Sequence, residues 1–136
     1  MTQGDRVLPR ITEANAGFWT SGADGILRIL RCSDCRYWVH PPRPLCPHCR
    51  RSTLSWTATA GRAELFTYTV NRKAWHPDVP VPYVIAIVEL AEQRGLRLTT
   101  NVVNAEPGQL RIGMPLQVTF VEQDGVFIPL FEPAPA

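Results

Sequence analysis

The 136-residue sequence lacks a strong net charge and a long apolar run. Fourteen Lys and Arg residues against twelve Asp and Glu residues give a net charge of +2, which creates no strong field for attracting nucleic acid or an anionic membrane. The longest aliphatic run, residues 84–88, is far shorter than the ~20 apolar residues that cross a bilayer. Thirteen prolines leave little room for long helices. We therefore expect no membrane contact and no long helix.

The sequence also lacks a recognisable catalytic set. Its three histidines, His40, His48 and His76, lie outside any catalytic motif, and its acids are too scattered to pair as acid and base. There is no glycine-rich phosphate loop and no Gly-x-Ser-x-Gly motif. The first residues do not form a basic start followed by an apolar stretch, so we expect no secretory signal and a cytoplasmic protein. We expect no catalytic activity from the chain alone.

What is present indicates a folded, mainly β protein in four segments. With 45% hydrophobic and 19% charged residues, the composition is close to that of globular domains. The predicted segments are an N-terminal helical segment (1–27), a cysteine-containing ribbon (28–57), a barrel (58–132) and a tail (133–136). In the first segment, Thr12 is the predicted cap of a short helix that Gly22 and Gly25 end. The apolar residues of this helix pack either on the chain itself or on a partner subunit.

The strongest chemical signal is a pair of Cys-x-x-Cys motifs separated by ten residues. The predicted metal ligands are Cys32, Cys35, Cys46 and Cys49. Two residues between thiolates let a tight turn direct both sulfurs at one ion, and two such turns supply the four-sulfur tetrahedron that structural zinc prefers. Iron in the same cage stays open. Disulfides are disfavoured without a signal peptide, and a thioredoxin-like redox pair needs only one such motif.

The segment after the cysteines predicts a barrel. Five runs rich in β-branched and aromatic residues are separated by Gly, Pro and Asn. The runs cover residues 63–72, 83–90, 95–103, 115–122 and 126–131. Tight hairpins are predicted at residues 92–95 and at 123–125, where Asp-Gly is the stronger signal. Five strands with unequal connections favour an OB-fold, whereas an immunoglobulin-like sandwich needs about seven.

The connection after the first barrel strand contains the most suggestive surface residues. Arg72, Lys73, Trp75 and His76 are candidate contacts for a ligand or a partner, because loops of OB-folds often bind. The cations could hold phosphates while Trp75 stacks on a base, or Trp75 could anchor a protein interface. An ordinary exposed loop is the remaining alternative.

Several motifs together resemble the zinc-ribbon and OB-fold proteins that are associated with acyl-CoA metabolism. The most specific are the knuckle PPRPLCPHC, Pro82-Tyr83 at the opening of the second barrel strand, and RIGMP before the fourth. The resemblance spans about residues 15–132. It implies an N-terminal helical segment, a rubredoxin-like zinc ribbon and a C-terminal OB barrel, which is also the order that the residues indicate.

The resemblance implies a non-catalytic accessory subunit of a thiolase-like enzyme. The partner would be a thiolase, an acyltransferase or an aldolase that shortens steroid side chains, in a hetero-oligomer that handles acyl-CoA or steroid-CoA thioesters. A nucleic-acid-binding module is the alternative from the residues, since residues 28–56 hold six arginines and one acid. The barrel segment opposes it with six basic and eight acidic residues. A stand-alone thioester enzyme is a third possibility.

Overall fold

A computed structural model describes residues 6–135 of the chain. Within this range a short helix precedes a three-stranded sheet and a closed five-stranded barrel, so the mainly β fold predicted from the sequence is confirmed. The first residues of the predicted segment 1–27, on which the expectation about a secretory signal depends, lie outside the described range, as does Ala136. No helix in the described range is long and apolar enough to cross a membrane.

The ribbon is built around one central strand. Strand β1 (Arg28–Cys32) pairs on one side with β2 (Trp38–Val39) and on the other with β3 (Leu54–Ala58), in both cases antiparallel. The first cysteine is the last residue of β1, so the sheet fixes the position from which the first Cys-x-x-Cys turn departs.

All five predicted barrel strands are present. They are β4 (Arg62–Asn71), β5 (Tyr83–Leu90), β6 (Arg97–Val102), β7 (Pro115–Gln123) and β8 (Val126–Pro133). Their order around the barrel is β4-β5-β6-β8-β7. Neighbours are antiparallel except β6 and β8, whose parallel pairing is the single register Val102↔Phe131. The last strand ends two residues later than predicted, because Pro133 pairs with Leu116.

The β7–β8 hairpin forms at the predicted Asp-Gly pair. Asp124 and Gly125 have φ angles of 52° and 80°, so both central residues of this two-residue turn lie in the left-handed region. Glycine reaches that region without steric cost, and such turns match the twist of the flanking strands. The sequence therefore sets the register of this hairpin.

The N-terminal helix packs on the chain's own strands. Helix α1 (Ala16–Thr20) contacts β1 and β8 and buries Phe18. An added Cβ at Gly17 would lie 2.3 Å from the Trp56 indole, so glycine is needed for this close approach. The helix begins later than its predicted cap, because Thr12 caps the preceding turn: its Oγ1 accepts a hydrogen bond from the Asn15 amide at 3.3 Å.

The ribbon and the barrel share one hydrophobic core. Leu27, Ile29 and Trp38 from the ribbon side belong to the same buried cluster as Leu65 and Leu116 from the barrel. Removal of such apolar surface from water is the main favourable contribution to folding. The two parts are therefore expected to stabilise each other.

The β5–β6 turn fastens the barrel to the edge of the ribbon. The Gln93 side chain accepts a hydrogen bond from the Trp38 amide at 2.9 Å and donates one to the Trp38 carbonyl at 3.0 Å. Beside it, Glu92 Oε2 accepts a hydrogen bond from the Ala60 amide at 2.8 Å. One turn thus holds both the short edge strand β2 and the connection between β3 and β4.

Candidate functional site

The two Cys-x-x-Cys turns have the same backbone geometry. In the first, the Arg36 amide donates to the Cys32 carbonyl at 2.8 Å, and in the second the Arg50 amide donates to the Cys46 carbonyl, also at 2.8 Å. Arg36 and Arg50 both have φ of 67°, a left-handed conformation that turns the chain back. Each turn thereby presents its two sulfurs on the same side.

The four sulfurs form a compact group. Each lies within 4.8 Å of the others; Cys32 and Cys49 Sγ are 3.5 Å apart, and Cys35 and Cys46 Sγ are 3.6 Å apart. None of these four cysteines forms a disulfide. A tetrahedron with Zn–S bonds of about 2.3 Å places its sulfurs about 3.8 Å apart. The donor set and its spacing therefore fit one four-coordinate metal ion.

The protein environment separates the acidities of these thiols. Hydrogen bonding from the Cys35 amide lowers the pKa of Cys32 to about 6, whereas burial raises the pKa of Cys35 to about 12. Four thiolates so close together repel one another. The positive charge of a divalent cation would offset this repulsion, and the cysteines would lose their protons on binding it.

The candidate loop residues divide into three environments. Trp75 is 70% exposed, its indole N–H donates to Asn71 Oδ1 at 3.0 Å, and the Lys73 ammonium lies 4.2 Å from its ring centroid. Lys73 and Trp75 therefore form one cation–π pair. Arg72 is exposed and makes no side-chain hydrogen bond or ion pair with any described residue. His76 instead lines a groove beside the barrel.

This groove has a volume of about 460 Å³ and mostly apolar walls. The N-terminal segment, α1, the β4–β5 loop and strands β5, β6 and β8 all contribute to it. Its apolar walls include Val7, Trp19, Val79, Pro80, Ile85 and Ile128. A cavity of this size and character is typical of small-molecule sites.

Arg6 is the charged residue of the groove. Its Nη1 donates to Asn101 Oδ1 at 2.8 Å, while its Nε is buried and has no acceptor among the described residues. The Gln123 side chain holds the Arg6 main chain with two hydrogen bonds of 3.0 Å each. Burial lowers the pKa of Arg6. Sequence reasoning missed this residue, because the Arg6–Asn101 contact joins positions 95 residues apart and no local pattern signals it.

Known protein families match both parts of the chain. Residues 19–55 match the rubredoxin-like zinc ribbon domain of ChsH2, and residues 56–121 match the C-terminal OB-fold domain of ChsH2. In a solved structure described as an Ltp2-ChsH2(DUF35) aldolase, one chain is 36% identical and superimposes with a TM-score of 0.85. The match covers 94% of this chain and 100% of that one.

Curated relatives differ in length. A probable enoyl-CoA hydratase alpha subunit of Thermomonospora curvata is 38% identical over 95% of this chain, but the match spans only 40% of the relative. A 3-oxo-4,17-pregnadiene-20-carboxyl-CoA hydratase alpha subunit of Mycobacterium tuberculosis is 32% identical over 84% of this chain and 36% of its own length. A DUF35 domain-containing scaffold protein of Methanocaldococcus jannaschii is 36% identical over 71% of this chain and 70% of the relative.

The resemblance inferred from the sequence motifs is thus confirmed. The order of ribbon and barrel, the four-cysteine group and a full-length structural match agree. The chain belongs to the ChsH2-type (DUF35) family of zinc-ribbon plus OB-fold proteins.

Proposed function

We propose that the chain is a non-catalytic accessory or scaffold subunit of a thiolase-like enzyme that acts on acyl-CoA or steroid-CoA thioesters. In this function it stabilises a hetero-oligomer and helps to shape the CoA or acyl channel of its partner. The partner reaction would be thiolysis, acyl transfer or retro-aldol side-chain cleavage in lipid or steroid degradation.

One observation carries this proposal: the chain matches the entire length of a chain in the Ltp2-ChsH2(DUF35) aldolase structure. The relative in Methanocaldococcus jannaschii is described as a scaffold protein, and the relative in Mycobacterium tuberculosis as a subunit acting on a steroid CoA thioester. These descriptions support an accessory function with a thioester-handling partner. Because fold alone does not establish function, the proposal needs a direct test.

In this function the cysteine group holds a structural zinc ion. Cys32, Cys35, Cys46 and Cys49 would supply all four ligands, which leaves no position for water or substrate. The metal therefore stabilises the ribbon and takes no part in catalysis. Metal analysis of the purified protein distinguishes zinc from iron.

The β4–β5 loop is the proposed contact with CoA or with the partner. The hydrogen bond to Asn71 and the Lys73 ammonium restrain the exposed indole of Trp75 before binding. A restrained aromatic side chain loses little conformational entropy on association, and such residues are frequent energetic centres of interfaces. Arg72 and His76 would contribute charge and hydrogen bonds from the same loop.

An affinity pull-down from the extract of the natural host, at moderate and high salt, tests the function. We expect a near-stoichiometric, salt-resistant thiolase-like protein in the eluate, identified by mass spectrometry. Recovery of nucleic acid that is lost at high salt, without an enzyme, would favour the nucleic-acid alternative, because binding through phosphates weakens steeply with salt.

The same pull-down, together with a titration of the purified chain with CoA, tests the loop when both are repeated with Trp75→Ala. We expect either the recovery of the partner or the affinity for CoA to fall at least about tenfold. Loss of a central interface aromatic commonly costs about 2 kcal/mol or more of binding free energy. The melting temperature should stay unchanged, since the side chain is 70% exposed. Trp75→Phe keeps a ring and serves as the control. Undiminished binding of both partner and CoA by Trp75→Ala would exclude the loop.

A further inference from the structure

We infer that the groove beside the barrel binds a small amphipathic anion, which inserts an apolar body between Trp19 and Ile85 and directs a carboxylate or phosphate head at Arg6. This goes beyond the accessory function, because the groove is formed by residues of this chain and would bind its ligand without a partner. The ligand class follows from the hydrogen-bonding capacity that the groove leaves unused and from its walls.

Two N–H donors at the groove, one on Arg6 and one on His76, remain available to a ligand. Arg6 retains a buried Nε–H without an acceptor in the described part of the chain. Asn101 makes one hydrogen bond at each end of its amide: its Oδ1 accepts from Arg6 and its Nδ2 donates to the Val84 carbonyl at 2.8 Å. His76 Nδ1 accepts from the Asp78 amide at 3.2 Å, which leaves Nε2–H as the donor of the neutral ring.

These donors are complementary to an acceptor-only head group. No Asp or Glu of the described range lines the groove, so the Arg6 guanidinium has no carboxylate to neutralise it there. A half-buried cation without a counter-charge is unfavourable, and a charge-assisted hydrogen bond to a bound anion would relieve that cost. Carboxylates and phosphates both match the guanidinium geometry, and the test distinguishes them.

The apolar walls and the volume of the groove determine what the apolar part of the ligand can be. Apart from Arg6, His76 and Asn101, the residues that line the groove are chiefly aliphatic or aromatic, and the volume of about 460 Å³ accommodates a short alkyl or compact alicyclic body. Ile85 on β5 pairs with Asn101 on β6, so the apolar wall begins beside the residue that orients Arg6. Head and body sites are therefore adjacent.

The test is isothermal titration of the 136-residue chain with octanoate, octyl phosphate and 1-octanol, each below its micellar concentration. We expect one saturable site that binds at least one of the anions about tenfold more tightly than the alcohol; the tighter anion identifies the head group. Arg6→Gln should lower the anion affinity at least tenfold and change that of the alcohol less than twofold. Arg10→Gln, an exposed arginine of the same segment, should bind like the wild type.

A second variant leaves the N-terminal segment unaltered. Ile85→Glu places a carboxylate beside Asn101, where it can pair with Arg6 and replace the ligand. We expect loss of anion binding in this variant, while Ile112→Glu, at a position that is 62% exposed and outside the groove, retains it. Equal affinity for anion and alcohol, absence of saturable anion binding, or undiminished binding by Arg6→Gln would each overturn the inference. The assay needs no partner, so its result is independent of the proposed accessory function.

Discussion

At the scale of single residues, His40 couples the stability of the fold to pH. Its ring lies 5.0 Å from that of Phe18, its Nδ1 is buried without a described hydrogen-bond partner, and burial lowers its pKa from 6.5 to about 4. The folded state therefore favours the neutral ring. Since the unfolded chain binds the proton more readily, this contribution is complete above pH 6.5 and is lost as the pH falls towards 4.

We expect the wild type to lose about 2 kcal/mol more unfolding free energy than His40→Phe between pH 7 and pH 4.5, because each pKa unit corresponds to about 1.4 kcal/mol. Phenylalanine preserves a ring against Phe18 but does not titrate. Urea unfolding of both proteins at both pH values measures the difference. Because both proteins keep all four cysteines, effects of acid on the metal site cancel. Parallel losses in the two proteins would show that His40 has no such effect.

The residues that could be predicted are those whose chemistry depends on local spacing. The four-cysteine group can be predicted because the two cysteines of each Cys-x-x-Cys motif lie within one tight turn. No local sequence pattern predicts the environment of Arg6 or His40, because Arg6 Nε and His40 Nδ1 are buried only once the chain has folded. The sequence identifies Trp75 as a loop aromatic, but its pairing with Lys73 depends on a loop conformation that the sequence does not specify.

At the scale of elements, the β5–β6 turn is the joint between ribbon and barrel. Gln93→Ala removes both hydrogen bonds to Trp38 and should lower stability by about 1–3 kcal/mol, given about 0.5–1.5 kcal/mol for each bond. Arg94→Ala, at the exposed neighbouring position, should change stability by less than about 0.5 kcal/mol. Hydrogen exchange supplies the specific measurement: the Trp38 amide should exchange faster in Gln93→Ala while amides of β5 keep their protection. Unchanged exchange at Trp38 would contradict this assignment.

Strand positions can be predicted where residues that favour turns, such as Asp-Gly and proline, separate the strands. Asp124 and Gly125 define one hairpin, and prolines delimit the starts of β5 and β7. The joint was not predictable, because Gln93 and Trp38 are 55 positions apart and an amide side chain in a turn is ordinarily solvated. Element positions follow from local signals, whereas contacts between elements depend on the assembled fold.

At the scale of the whole molecule, the shared core should make metal binding at the proposed four-cysteine site a determinant of the entire fold. Phe18, Ile29 and Trp38 lie in one buried cluster with residues of the barrel. The first of the two cysteine turns joins this cluster directly, because Cys32 ends β1, the strand that also contains Ile29. A loss of order around the sulfurs therefore removes support from the barrel as well as from the ribbon.

We accordingly expect Cys46→Ser to lower the melting temperature of the whole chain by at least about 10 °C, because binding free energy in structural metal sites is also folding free energy. Loss of metal should accompany the change, and a chelator should shift the wild type in the same direction. Arg43→Ser alters an exposed residue between the two turns and serves as the control, with both metal content and melting unchanged. In each protein, the barrel and the ribbon should unfold at the same temperature. A Cys46→Ser protein with full metal content and the wild-type melting curve would show that this sulfur is not a ligand. A barrel that keeps its melting temperature after metal loss would show instead that the shared core does not couple the two parts.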